Sequence, residues 1–324
     1  MRLGTYARTP GQDWRAALFR DDGLLLDLAA ALEVFGAGGG DVGAARTWRD
    51  PADMHSWITP AGRALAATLA RAADANQAAL RGALVPLASV IHGPPFPRPG
   101  KFIAVGRNYM EHVREGQAIW AARGKNIEVP TFPTAFIKVN SAISAQGMPI
   151  VIPAGVDCVD YEVELAFVIG TPAYRVDEAR ALEHVAGYTI CNDVGARAIQ
   201  RREMEGQIGL SLSKNFRSFA PTGPWLVTAD EIPDPQKLDI GLTVNGEERQ
   251  HASTADMMSG VARLIAYWSQ LGLEPGDMIT TGTPSGVALA RPEPEKFYLR
   301  AGDVVRARIE GIGTLENPVR AEAG

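Results

Sequence analysis

Two glutamates stand two positions apart in DYEVELAFVIG, residues 160 to 170. If the run is a strand, side chains at i and i+2 share a face. Asp160, Glu162, Glu164, Ala166 and Val168 then lie opposite Tyr161, Val163, Leu165, Phe167 and Ile169. The first of these faces is acidic at one end and apolar at the other. Two readings fit it: a half-buried site, or a strand whose first half emerges into water. As a site, the pair needs a third hard ligand, and Asp193 in TICNDVGAR, where a strand gives way to a helix, supplies one. Taken alone, Asp193 also suits a helix N-cap or a turn. Three carboxylates without a cysteine pair or an HExxH helix favour Mg2+ or Mn2+, with Ca2+ also allowed. Such a set leaves coordination positions for water and a chelating substrate.

In GRNYMEHVREG, His112 and Glu115 are i and i+3 on an expected helix and share a face. A carboxylate beside an imidazole orients it and raises its basicity, which suits a general base taking a proton from water. The bland alternative is a surface helix with ordinary charges. Lys214, in the loop-rich SLSKNFRSFAPTGPW, has the chemistry to polarise a carbonyl or steady an oxyanion, or is a solvated surface lysine. TTGTPSG, residues 280 to 286, is a small-residue loop that lets backbone and hydroxyls approach a ligand, or a plain turn. No GxxxxGK[ST] or GxGxxG pattern argues for a nucleotide.

The elements that must position these residues are strands with a few helices. FIAVG (102 to 106), TAFIKV, DYEVELAFVIG and AGYTICNDV read as strands. Helices are expected at 107 to 116, closed by Gly116, at 177 to 184, over GARAIQRREMEG, and over MMSGVARLIAYWSQLG, ended by Gly272. Asn245-Gly246 in LTVNGEERQ is a two-residue hairpin turn. Before these come short strands (RLGTYA, AALFRDDGLLLDL), a Gly-rich stretch and an Ala-rich helix over 61 to 82. The Pro-rich HGPPFPRPGK, 92 to 101, cannot continue a helix and sets a boundary between residues 1–95 and 96–324. No repeat is visible. Strands without regular alternation with helices predict an α+β fold on a mixed sheet or roll.

The composition bounds the rest. A chain of 324 residues, 46% hydrophobic, is globular and holds one large domain or a small one beside a larger one. A net charge of -5 without a block of like charge argues against a nucleic-acid partner. The start lacks an apolar h-region and no run reaches membrane-spanning length, so a soluble, cytoplasmic protein without membrane contact is expected. Cys158 and Cys191 are too few for a disulfide framework and read as buried small hydrophobes.

Taken in order, VGRNYMEHVREG, PTAFIKVNSAISAQGMPIVIP, VDYEVELAFVIG, GYTICNDVGARAIQ, LSKNFRSFAPTGPWLVT, LTVNGE and EPGDMITTGTPSGV resemble the fumarylacetoacetate hydrolase family over residues 100 to 310. The resemblance implies a mixed β-roll catalytic domain with a smaller N-terminal α/β domain, a homodimer, and a place in aromatic catabolism. It implies Glu162, Glu164 and Asp193 as ligands of Mg2+ or Mn2+, and His112 with Glu115 as a water-activating dyad on a lid. Lys214 matches a lysine that polarises the carbonyl. Arg197, Gln200 and Thr283 match substrate-contacting positions, and Arg107 matches a carboxylate clamp. The chain departs from the family at Gly195, Ala198, Asn215 and Arg217. The first two open space or remove a charge near Arg197, and the last reverses a charge near Lys214. Residues 117 to 132, with Trp120, Arg123 and Lys125, form an extended lid favouring an anionic, partly apolar substrate, or a surface excursion. The activity implied is hydrolysis of a carbon-carbon bond in a 1,3-diketo acid, an acylpyruvate or fumarylpyruvate-like small anion. The alternatives are decarboxylation, isomerisation or dehydration in the same site, and a binding protein that kept only the fold.

Overall fold

The computed structural model describes residues 1–323 apart from 49, 76, 77, 123, 127 and 208. At its centre runs the strand Val163–Ile169, every residue of which is buried. It pairs antiparallel with Val185–Asn192 on one side (Glu164 opposite Cys191) and with Met278–Thr280 on the other (Ala166 opposite Thr280). Met278–Thr280 continues parallel to Phe102–Gly106, which pairs with Thr134–Ile137 at one end of the sheet. In the other direction Val185–Asn192 pairs with Ala220–Thr228, and on that strand lies the N-terminal Arg2–Ala7, with Leu3 opposite Leu226. Arg15–Phe19, Leu24–Asp27 and Leu84–Pro86 extend the sheet, which has 12 strands in all. A second, five-stranded sheet contains Asp239–Val244, Val304–Ile309 and Gly313–Ala321.

The two faces of the central strand have different partners, as its alternation requires. Leu165, Phe167 and Ile169 pack with Ile240, Leu242, Val305 and Ile309 of the second sheet and close the roll. Burying each such side chain fully contributes about 1.5–3 kcal/mol. Ala166 and Val168 face the other way, into a cluster with Trp57, Ala66 and Leu69 from the N-terminal part. Helix Pro60–Ala75 supplies the last two, and stops well short of residue 82. Glu162 and Glu164 share the direction of Ala166 and Val168, but lie at the other end of the strand.

The Asn245-Gly246 hairpin forms as expected, both residues having positive φ (53° and 84°) between Asp239–Val244 and Glu247–Ser253. The helix expected to close at Gly116 instead spans Met110–Ala121. A mid-helix glycine costs about 1 kcal/mol, and the continuation through Ile119 and Trp120 carries apolar side chains to a cavity wall. Residues 178 to 184 form a 3-10 helix. Cys191 is buried, but Cys158 is only half-buried, with φ of 61° on the cavity wall, so it is no core hydrophobe. Among the described residues, no helix is long and apolar enough to cross a membrane.

Candidate metal centre and active site

The central strand and the end of its partner put three acids in one place. Glu162, Glu164 and Asp193 are all buried, and each offers an oxygen within 4.8 Å of the others. Asp193 directly follows Val185–Asn192, and its N–H donates to the Glu162 carbonyl (2.8 Å). It caps no helix, since Ala196 occupies the N-cap of Arg197–Glu205. The reading of Glu162 and Glu164 as a solvated strand end is likewise excluded by their burial.

Cations surround two of the three acids. Lys214 Nζ donates to Glu162 Oε2 (2.6 Å), Asp193 Oδ2 (2.9 Å) and the Asp193 carbonyl (2.8 Å), so its three hydrogens are all engaged. Lys138 Nζ donates to Asp193 Oδ1 (2.6 Å). Arg197 donates through NH2 to Glu162 Oε1 (2.6 Å), through Nε to Asp160 Oδ2 (2.7 Å) and through NH1 to Gln200 Oε1 (2.8 Å). Desolvation pushes the Glu162 pKa up, but the charges of Lys214 and Arg197 outweigh it and hold Glu162 far below the usual carboxylate range. Burial would lower the Lys214 pKa, yet Asp193 and Glu162 raise it.

Glu164 is different. It accepts the Gly282 N–H (2.9 Å), and no ion pair involving it occurs among the described residues. Burial, together with the charges of Asp193 and Glu162, raises its pKa well above the ordinary value. Four buried carboxylates, with Asp160, thus face three buried cations. A hard divalent ion held by Glu162, Glu164 and Asp193 would supply the missing positive charge, and an all-oxygen donor set suits Mg2+, Mn2+ or Ca2+.

The dyad meets this cluster across a cavity of about 640 Å³ lined by His112, Glu115, Glu162, Glu164, Asp193, Lys214 and Thr283. His112 Nδ1 lies 3.2 Å from Glu115 Oε2, and Glu115 Oε1 accepts the Gly286 N–H at 2.8 Å. Gly286 has φ of 103°, and a Cβ there would meet the Arg249 carbonyl oxygen at 2.1 Å. The Thr283 hydroxyl donates to the Val163 carbonyl (2.9 Å) and accepts from Gln250 Nε2 (2.9 Å). Arg107 and Gln200 also line the cavity. Arg107 has φ of 55°, and desolvation lowers its pKa.

Every expected site residue therefore reaches one cavity, though Lys214, Thr283 and Arg197 spend their donors on protein groups. Of the departures, Gly195 opens no space near Arg197: a Cβ there would press on Lys214 Cε at 3.1 Å. Ala198 does line the cavity. Asn215 donates to the Ile137 carbonyl and accepts the Val139 N–H, pinning the sheet's outer strand, while Arg217 is exposed outside the cavity wall. Residues beyond Ala121 leave the helix; Lys125 stacks over the Trp120 ring at 5.3 Å, and Arg123 lies outside the described residues.

Three residues were missed. Lys138 is fully buried, although TAFIKVN offered the signal of a lone lysine ending an apolar strand. Asp160 stood in the motif itself; it accepts from Arg197 and from the N–H groups of Tyr161, Ala288 and Leu289. Gln250 accepts the Val163 N–H (3.0 Å) while donating to Thr283, a link between distant segments that leaves no local trace.

Residues 101–320 match the model of the fumarylacetoacetate hydrolase C-terminal domain. A relative from Burkholderia multivorans, whose name assigns it provisionally to the hydrolases, is 47% identical over 225 residues, 69% of this chain and 75% of that one. The solved structure of maleylpyruvate hydrolase from Sphingobium sp. SYK-6, in complex with manganese(II) ion and pyruvate, superposes with a TM-score of 0.71 at 29% identity, covering all of both chains. That of 5-carboxymethyl-2-hydroxymuconate delta-isomerase from Mycobacterium smegmatis does so with a TM-score of 0.69 at 31% identity, again over all of both chains.

Proposed function

The chain belongs to the fumarylacetoacetate hydrolase family, and on that footing we propose that it hydrolyses a carbon-carbon bond in a 1,3-diketo acid of the acylpyruvate type, with a divalent metal. The observation that carries this reading is the dyad. Glu115 is tethered to Gly286 and orients His112 in the same cavity as the acidic triad. With Nδ1 turned to Glu115, Nε2 is the nitrogen left to take a proton from water. Decarboxylation of a keto acid has no need of such a base.

When bound at Glu162, Glu164 and Asp193, Mg2+ or Mn2+ would act as a Lewis acid toward the keto-acid oxygens. Arg107 takes the substrate carboxylate, with Gln200 and Thr283 along the remaining wall. His112 removes a proton from water as its oxygen bonds to the distal carbonyl carbon. Lys214, by exchanging one of its three acceptors for the new oxyanion, steadies it. The carbon-carbon bond then breaks with its electron pair moving to the pyruvate fragment as an enolate. The proton held by His112 goes to that carbon, giving pyruvate and a carboxylic acid.

The experiment is a panel of acylpyruvates, fumarylpyruvate and oxaloacetate with purified protein and Mg2+ or Mn2+, followed by ultraviolet loss of the enol and by released pyruvate. Cleavage of a diketo acid, abolished in His112→Ala, is the expected result. A His112→Ala protein that hydrolyses at the wild-type rate would sink the mechanism. Likeness to an isomerase gives the second reading, isomerisation or decarboxylation in the same site. Conversion of oxaloacetate that survives His112→Ala, with no diketo acid cleaved, would select decarboxylation.

A further inference from the structure

Beyond the triad, the cavity is walled by Ile119, Met204, Leu210, Leu289 and Tyr298, drawn from separate stretches of chain. A space of about 640 Å³ is far more than a three-carbon keto acid fills. The remainder belongs to whatever is attached to the distal carbonyl.

Charge decides what that group is. On the triad side, Lys138, Lys214 and Arg197 are already committed to carboxylates of the protein. At the far end, Arg201, Glu295 and Cys158 line the cavity. One base against one acid leaves that end without net charge. A second carboxylate on the substrate gains nothing there and gives up its hydration.

Resting on the hydrolase reading above, we propose that the acyl group of the substrate is a large hydrophobe, an aryl or branched alkyl chain without a terminal carboxylate, seated against Ile119, Met204, Leu210, Leu289 and Tyr298. The pocket makes the enzyme selective for chain bulk. Each further methylene it buries raises kcat/KM by about fourfold until the space is filled.

The test uses the metal-loaded protein and four substrates: acetylpyruvate, benzoylpyruvate, 4-methylpentanoylpyruvate and succinylpyruvate. The last two are near isosteres that differ in an isopropyl or a carboxylate terminus. Steady-state kcat/KM is measured for each, and dissociation constants are measured by calorimetry on the His112→Ala protein. The expected order places benzoylpyruvate and 4-methylpentanoylpyruvate about tenfold or more above both acetylpyruvate and succinylpyruvate. Leu289→Lys, checked for folding by its melting curve, shifts the isostere ratio at least about tenfold toward succinylpyruvate. Cleavage with succinylpyruvate equal or preferred overturns the pocket assignment and leaves the hydrolase reading standing. Absence of cleavage with tighter binding of the apolar isostere does the reverse. Neither cleavage nor a binding preference overturns both.

Discussion

Glu115 joins two segments that are 171 residues apart, its Oε1 accepting the Gly286 N–H at 2.8 Å while its Oε2 faces His112. The carboxylate that orients the base is thereby anchored to the loop after Met278–Thr280, and the position of the dyad depends on a backbone group. Gly286→Ala should displace this loop, because the new Cβ would meet the Arg249 carbonyl and the residue has φ of 103°. Hydrolysis should fall by about tenfold or more, part of what a positioned general base contributes. Calorimetric affinity for Mn2+ should change far less than the rate, since Glu162, Glu164 and Asp193 stand on or beside the paired strands and not on that loop. An alanine variant with unchanged rate would show the tether to be dispensable.

Glu164 is the acid without a cation. Its pKa in the folded protein lies above the unfolded value of about 4.3, so its contribution to stability is present below that pH and is lost as pH rises through the folded-state pKa. Metal-free protein should therefore melt at lower temperature at pH 7.5 than at pH 5 on account of this group. Glu164→Gln should raise the metal-free melting temperature at pH 7.5 by about 2–4 °C per kcal/mol recovered, while abolishing Mn2+ binding. Scanning calorimetry with a chelator checks the first and Mn2+ titration of the stripped protein the second, and a lowered metal-free melting temperature would refute the assignment.

Lys138 has no exposed side-chain surface and donates to Asp193 and to the Lys214 carbonyl. Lys138→Met strips one of the three cations from the cluster, at a cost of about 3–5 kcal/mol in the metal-free state. Saturating Mn2+ should recover part of that loss by mass action. Paired denaturant titrations, with metal and with chelator, should show a larger metal-induced gain in the variant than in the wild type.

Far from the site, Asp27 accepts from the Tyr6 hydroxyl (2.6 Å), Arg15 Nε (2.7 Å) and the Ala30 N–H (3.0 Å). Burial pushes its pKa up, but these donors prevail and keep it below the ordinary value. The stability it contributes is present above the unfolded pKa of about 3.9 and is lost as pH falls through the folded-state pKa. Asp27→Asn should be less stable at pH 7 and should show a shallower loss of stability below pH 4. An acid limb identical to that of the wild type would count against the linkage.

The chemistry was more legible in the sequence than its surroundings were. Glu162 and Glu164 declared themselves by a period-2 pattern, His112 and Glu115 by helical spacing, and Asn245-Gly246 by its turn preference, all of which are local signals. Lys138, Gln250 and the Gly286 tether act across 55 to 171 residues. No periodicity encodes such contacts. Gly116 misled for a related reason: its local preference to end a helix was overridden by apolar residues beyond it that face the cavity. At Gly195 the absent side chain suggested room, whereas the neighbouring Lys214 had already taken it.

The strand Arg2–Ala7 seals the flank of Ala220–Thr228, and that strand in turn borders the one leading into Asp193. Whatever variation the first 95 residues tolerate elsewhere, this seam is held in common with the chemistry. A replacement N-terminal segment grafted from a relative would have to bring a strand of matching register, or leave an open, sticky backbone edge two strands from the metal ligands. Such a graft would also have to restore the hydrophobic cover that Trp57, Ala66 and Leu69 lay over Ala166 and Val168.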